Sequence, residues 1–239
     1  MIGQERGQTL LGRSTDGLSR YALKVQLMRQ QNVEGTVPVF RQLFVAQGLP
    51  RRIRVDNGSP FGSKGPLGLT RLSAWWVKLG IEVEFGRAGH PEDNAAHEQF
   101  HGVMKAETAS PPAQTWRGQQ RRTQRWVEEY NEARPHEALG MKVPAQSYRP
   151  SARKFTPTEQ PLRYPRGWES RRVKSNGEVS WRGQARFIGE AFARERVGLK
   201  EHQARVWRVY YEKHLIGQLY DQERGGMRPA IYRPRRQPR

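Results

Sequence analysis

Apolar positions follow two rhythms along this chain, and the rhythms alternate. Tyr21, Leu23, Val25 and Leu27 recur at every second residue, which predicts a half-buried strand. Val37, Phe40, Leu43 and Phe44 share one helical face, which predicts a helix over Val33–Gln47 that Gly48 and Pro50 terminate. Ile53-Arg54-Val55 stops at Asn57-Gly58, so it reads as a buried strand running into a tight turn, with Asp56 at its end and facing out. Gly58 to Gly68 is a glycine- and proline-rich loop bordering Asp56. Leu72, Trp75, Trp76 and Leu79 restore helical spacing over Leu69 to Leu79; at that spacing the Trp pair packs into a core rather than stacking on bases. Ile81, Val83 and Phe85 alternate as another strand.

A helix then begins after Pro91, with Asp93 or Asn94 as its N-cap, and meets no strong breaker before Ser110. Phe100, Val103 and Met104 form its buried stripe, while Glu98, His101 and Lys105 fall together on another face. Pro111 and Pro112 interrupt it, and Trp116 to Arg134 resumes as a polar helix whose Arg117, Arg121, Arg122 and Arg125 suit phosphate contact or a solvated face. Strands alternating with helices give an α/β layer architecture, with Asp56 and Glu98 expected to converge at loop ends.

Beyond Pro150 the rhythm is lost and then changes. Ser151 to Trp168 carries Pro157, Pro161 and Pro165 among charged residues and reads as a linker. Arg171 to Lys174 and Glu178 to Trp181 flank Ser175-Asn176-Gly177, a hairpin signal, and Val206 to Tyr211 alternates with Leu215 to Tyr220 across a short turn. Several short strands in so few residues predict a small barrel or curled sheet, with Trp181 and Trp207 in its core. Arg224 to Arg239 is rich in Arg, Pro and Gly and is expected to be disordered until it meets nucleic acid. The domains expected are 1–150, a linker at 151–169, a small β domain at 170–222 and a basic tail at 223–239.

Composition sharpens the function. The formal charge of +19 and a pI near 11.0 favour a polyanionic partner, because each neutralised phosphate releases counterions. Charge alone leaves DNA, RNA and a merely solvated basic surface open. The absence of cysteine excludes disulfides and thiolate metal sites. No apolar run reaches the roughly 18 residues of a membrane span, and no signal segment follows Met1, so a soluble, cytoplasmic chain is expected. Two outward carboxylates with a cation two helical turns from one of them suit a site holding a divalent ion and a phosphate together.

Three ordered motifs carry a resemblance. Asp56-Asn57-Gly58-Ser59-Pro60 comes first, then Gly86-Arg87-x-x-His90-Pro91 before Glu98-x-Phe100-His101-x-x-x-Lys105-x-Glu107, then Tyr130-Asn131-x-x-Arg134-Pro135-His136-x-Ala138-Leu139. From about Asp16 to Pro150 the chain resembles the DDE transposases of bacterial insertion sequences and the related retroviral integrases. The resemblance implies an RNase H-like mixed sheet flanked by helices, two Mg2+ or Mn2+ ions, and DNA strand nicking followed by strand transfer. It makes Asp56 the second family acid and Glu98 the third, both catalytic and metal-binding. The β segment is similar in position to the SH3-like C-terminal domain of integrases, which binds DNA through backbone phosphates. The nucleic-acid-binding residues expected are Lys105, His101, Arg134, Arg171, Arg172, Lys174 and Arg182, with Arg186, Arg205 and Arg208 on the same basic surface. Double-stranded DNA, at element ends and target, is the expected partner, together with a homo-oligomer or a full-length transposase.

One family position is not matched. The first acid belongs about twenty residues before a motif present here as Asp16-Gly17-Leu18-Ser19-Arg20-Tyr21, and Met1 to Arg13 offers only Glu5. Asp16 itself matches a position that is not a ligand. The expectation is an N-terminally truncated enzyme, impaired unless Glu5 or Asp16 substitutes, or a non-catalytic DNA-binding remnant. A third reading takes His97-Glu98-Gln99-Phe100-His101 literally as the zinc peptidase pattern H-E-x-x-H. No third zinc ligand accompanies it.

Overall fold

Asn32 starts the first long helix by accepting the Gly35 N–H, and α1 runs Val33–Gln47 until Gly48, at φ 78°, turns the chain away. The computed structural model describes residues 8–10, 16, 18–30, 32–86 and 95–230, with backbone only at 8–10 and 95–97. In chain order the other elements are strands β1 Gln8–Leu10, β2 Gln26–Met28, β3 Arg52–Val55 and β4 Glu82–Phe85, and helices α2 Arg71–Lys78, α3 Ala95–Thr108 and α4 Trp116–Glu132. A short helix, α5, covers Pro144–Ser147, and seven strands follow: β5 Glu169–Arg172, β6 Glu178–Trp181, β7 Gln184–Phe187, β8 Arg196–Gln203, β9 Val206–Tyr211, β10 His214–Tyr220 and β11 Arg228–Pro229. They form two compact units, one of residues 1–55 and 84–157, the other of 56–83 and 158–239. No helix among the described residues is long and apolar enough to cross a membrane.

The first unit is α/β. Phe100 of α3 meets Trp126 and Tyr130 of α4 edge-on, at 5.3 and 4.9 Å, and Ala22, Val25 and Met104 complete that core. Packing of aromatic rings in this geometry adds to the burial of their area. The strand expected over Tyr21 to Leu27 is confined to β2, which pairs antiparallel with β1. Upstream of it and at Leu27 within it, side-chain amides do the work of a neighbouring strand. Asn131 of α4 accepts from the Ala22 N–H at 2.8 Å and donates to the Ala22 carbonyl at 3.0 Å, and Gln120 does the same for Leu27 N–H and Val25 C=O. On α1 the buried face is Thr36, Phe40, Leu43 and Phe44, so Thr36 takes the place expected of Val37.

The second unit begins at Asp56. Its α2 buries Leu72, Trp75 and Trp76 completely or nearly so, as the spacing predicts. The strands form an antiparallel sheet in the order β11-β10-β9-β8-β5, with β6 and β7 as a separate hairpin. The Ser175-Asn176-Gly177 turn does form, with the Lys174 N–H bonded to the Glu178 carbonyl. However, the strand before it is Glu169–Arg172 and pairs with β8 rather than β6, because Val197 and Leu199 of β8 offer it a buried apolar edge. Trp181 and Trp207 are core residues, and both indole N–H groups donate to one carboxylate, that of Asp221.

Two expectations for basic residues change here. Arg186 is buried, not on the surface: its guanidinium donates to the carbonyls of Tyr220 and Gly225 in and beyond the end of β10. The tail from Arg224 is ordered as far as Pro229, since Met227 is buried against Gly217 and Arg228–Pro229 pairs with β10. Residues 231–239 lie outside the described residues.

The stretch read as a linker is pinned at both of its ends. Ser151 and Arg153 bond the backbone that follows α1, through Leu49 and Pro50, in the first unit. In the second, Tyr164 donates its hydroxyl to the carbonyls of Arg196 and Tyr210.

Candidate functional site

Asp56 leaves β3 half-exposed, and one of its carboxylate oxygens accepts the Gly58 N–H at 3.3 Å. The loop behind it is a folded object. Phe61 and Gly62 both donate backbone N–H groups to the Gly58 carbonyl, and a Cβ at Gly62 would stand 2.6 Å from the Asn57 carbonyl oxygen, so only glycine fits. Phe61 stacks on Trp76, and Thr70, which caps α2, also donates to the Pro60 carbonyl. The helix is in turn fixed to the β strands. Trp75 donates to Glu159 at 2.8 Å, Lys78 bridges Glu159 and Glu195, and the buried Tyr211 hydroxyl donates to the Ala74 carbonyl. These partners lie 84, 117 and 137 residues apart, so no local spacing announces them.

Glu98 belongs to the first unit. It is exposed on α3, with His101 half-buried and Lys105 exposed on the same face, and the seven steps from 98 to 105 rise about 10 Å along the axis. The His101 ring lies edge-on to Phe100 at 6.5 Å. The side chain of His97, the α3 N-cap, the Gly89 to Asn94 loop and Glu5 lie outside the described residues. Among the described residues no group of three His, Cys, Asp or Glu side chains is placed to hold a metal ion.

Asp16 is committed to a turn. Its carboxylate accepts the Ser19 N–H at 2.9 Å, its carbonyl accepts Arg20 N–H, and Ser19 is buried. Arg134 pairs with Glu107 at 2.6 Å and lies over the Trp126 ring, and the same Glu107 oxygen accepts the Trp126 indole N–H. Arg134 first, and Trp126 second, hold the Glu107 carboxyl below the usual carboxylate range. Burial, reinforced by the charges of Arg134 and Arg20, pushes His136 below the ordinary imidazole value. Arg122 donates to the carbonyls of Thr108 and Pro111, closing the end of α3, while Arg117, Arg121 and Arg125 are exposed.

In the second unit Arg171 pairs with Glu169 and lies over Trp181 at 5.2 Å, and Arg182 lies over both Trp181 and Trp207. Arg172 and Lys174 are exposed.

Two family models match this chain in order. One described as the integrase core domain covers residues 79–144, and one described as the C-terminal domain of IS481 family transposases covers residues 168–225. In these two segments the chain is similar to insertion-sequence transposases and to the integrase core domain. It is 31% identical over 101 residues to the insertion element IS407 uncharacterized 31.7 kDa protein of Burkholderia multivorans, a match covering 42% of this chain and 34% of that one. It is 35% identical over 101 residues to the insertion element IS476 uncharacterized 39.2 kDa protein of Xanthomonas euvesicatoria, covering 42% and 28%. The chain thus matches about a third of the length of these relatives. Solved structures similar to this chain include the HTLV-2 integrase catalytic core domain in complex with magnesium, at 16% identity, 51% and 73% coverage and a TM-score of 0.39. A simian T-cell lymphotropic virus intasome is similar at 12% identity, 89% and 69% coverage and a TM-score of 0.44.

Proposed function

We propose that this chain acts on DNA as a transposase, with Asp56 and Glu98 as the carboxylates that bind Mg2+ or Mn2+ for strand nicking and strand transfer. The order of the two family matches carries the reading: a core segment that includes Glu98, His101, Lys105 and Arg134, then a C-terminal β domain, on a chain of net charge +19. Carboxylate oxygens are the donors these hard cations prefer, and each acid is reachable, one at the end of a strand and one in the first turn of a helix. Bound ions would activate the attacking oxygen and stabilise the leaving one. The protein's own part is to present Asp56 on a turn that Gly58 and Gly62 keep tight, and to set Lys105 two helical turns beyond Glu98 for phosphate contact. Element ends and target duplex are the substrates, and further copies of the transposase are the partners.

Nicking of an end-labelled duplex in Mg2+ or Mn2+ tests this. Activity should need the metal and fall at least about a hundredfold in both Asp56→Asn and Glu98→Gln. Activity that survives both substitutions would exclude these acids.

A second reading, a chain that binds DNA without cutting it, is favoured by Asp16 being tied into its turn. Salt-dependent binding without nicking supports that reading. Tightly bound zinc in elemental analysis would instead point to His97 and His101.

A further inference from the structure

The face of α4 turned away from the core is ordered by charge. Thr123, Trp126, Tyr130 and Asn131 are buried, and on the far side Arg117, Arg121, Gln124, Arg125, Glu128 and Glu132 are all exposed. At 3.6 residues per turn these six fall within about 100° of the helix circumference, so they form one stripe. Cations fill its first half and carboxylates end it. That order works against the helix that carries it. Arg117 and Arg121, Arg121 and Arg125, and Glu128 and Glu132 are like charges one turn apart, which repel. The first turn holds no acid and the last turn no base, the reverse of what the helix macrodipole favours. Among the described residues none of the five charged members of the stripe makes an ion pair.

The spacing of the stripe is palindromic. Its positions are separated by steps of four, three, one, three and four residues, so a second α4 turned end for end matches it position for position. In that register Arg117 meets Glu132 of the second copy, Arg121 meets Glu128, and Arg125 meets the side-chain carbonyl of Gln124. Each pair occurs twice, about a two-fold axis passing between Gln124 and Arg125. The contact extends about 22 Å along both helices. Parallel alignment would set Arg on Arg and Glu on Glu, so the charge pattern selects the antiparallel one. Exposed ion pairs are individually weak, but this register forms four together and brings each copy's carboxylates to the N-terminus of the other's helix. A chain of net charge +19 repels its own copies in general, so association needs a local pattern of this kind.

We propose that the charged stripe of α4 is a self-association surface, on which a second copy of this chain docks antiparallel through its own α4. This rests on the reading that further copies are the partners and names the surface they use. It is independent of the chemistry assigned to Asp56 and Glu98.

The test is sedimentation velocity of the full chain, freed of nucleic acid, for the wild type, Arg121→Glu, Glu128→Arg, and an equimolar mixture of the two variants. The wild type should dimerise. Each variant alone should weaken self-association at least about tenfold, because like charges then meet at two places related by the two-fold axis. General repulsion predicts the opposite for Arg121→Glu, which lowers the net charge. The mixture should regain wild-type association, since every contact between the two variants again joins opposite charges. A dimer indifferent to both variants, a mixture no stronger than its components, or Arg121→Glu losing duplex binding with its sedimentation unchanged would overturn this surface while leaving further copies as partners. A wild-type chain that remains a monomer up to about 100 μM would overturn the reading of copies as partners, and this surface with it. The nicking assay decides the DNA reading separately.

Discussion

Glu107 takes two donors at once, the Trp126 indole and the Arg134 guanidinium, and both favour its charged form. Because its folded pKa lies below the ordinary 4.5, its contribution to stability is complete above that pH and is lost as pH falls through the folded value. His136 acts over a different window. Burial lowers its pKa from 6.5, so the unfolded chain binds the proton more readily and stability declines as pH falls below about 6.5. Urea midpoints across acid pH should therefore decline in two stages, with His136→Phe flattening the upper stage and Glu107→Gln the lower. A single unchanged slope in either variant would contradict the assignment. At this scale the basic residues are the hardest to read from sequence. Arg186 has the same alternating neighbours as a surface arginine, and what buries it is a pair of carbonyls at Tyr220 and Gly225, far along the chain. The spacing of Glu98, His101 and Lys105 is legible because a single helix carries all three, whereas the commitment of Asp16 to a turn shows only in its hydrogen bonds.

Elements whose signals are local are legible, and those completed by a distant partner are not. α1 is bounded by its own Asn32 and Gly48, and its range follows from the sequence alone. The segment from Tyr21 to Val25 alternates like a strand, yet it is satisfied by amides from a helix about a hundred residues later. Replacing the buried Asn131 by Leu removes both partners of Ala22 and should cost the protein about 2 kcal/mol in chemical denaturation. An unchanged denaturation midpoint would show that the amide is dispensable. On the β sheet, Gly198→Ala forces the Tyr164 ring aside, with loss of its hydroxyl bonds to Arg196 and Tyr210. The expected readout is faster proteolysis between residues 157 and 168, with the strands themselves still folded by circular dichroism.

Across the whole molecule, the segment that follows Asp56 packs with the C-terminal strands, so the β domain is not a detachable module. Without residues 56–83, the Tyr211 hydroxyl loses the Ala74 carbonyl, Lys78 no longer offsets Glu159 and Glu195, and Gly189 loses the Pro66 ring beside it. A fragment of residues 158–230 should melt well below the full chain and bind a hydrophobic dye; a fragment equally stable and silent to the dye would show that the strands suffice. The β rhythm of that domain can be read from the sequence, but its dependence on α2 cannot, because the tie is made by Trp75, Lys78 and Tyr211 across more than eighty residues. The amide grip on Ala22, Val25 and Leu27 also reaches beyond the single molecule. An unpaired strand border is a template on which other copies can grow, and Asn131 and Gln120 occupy that border with groups that cannot propagate it. Losing them would leave that border open to self-association even in a chain this highly charged.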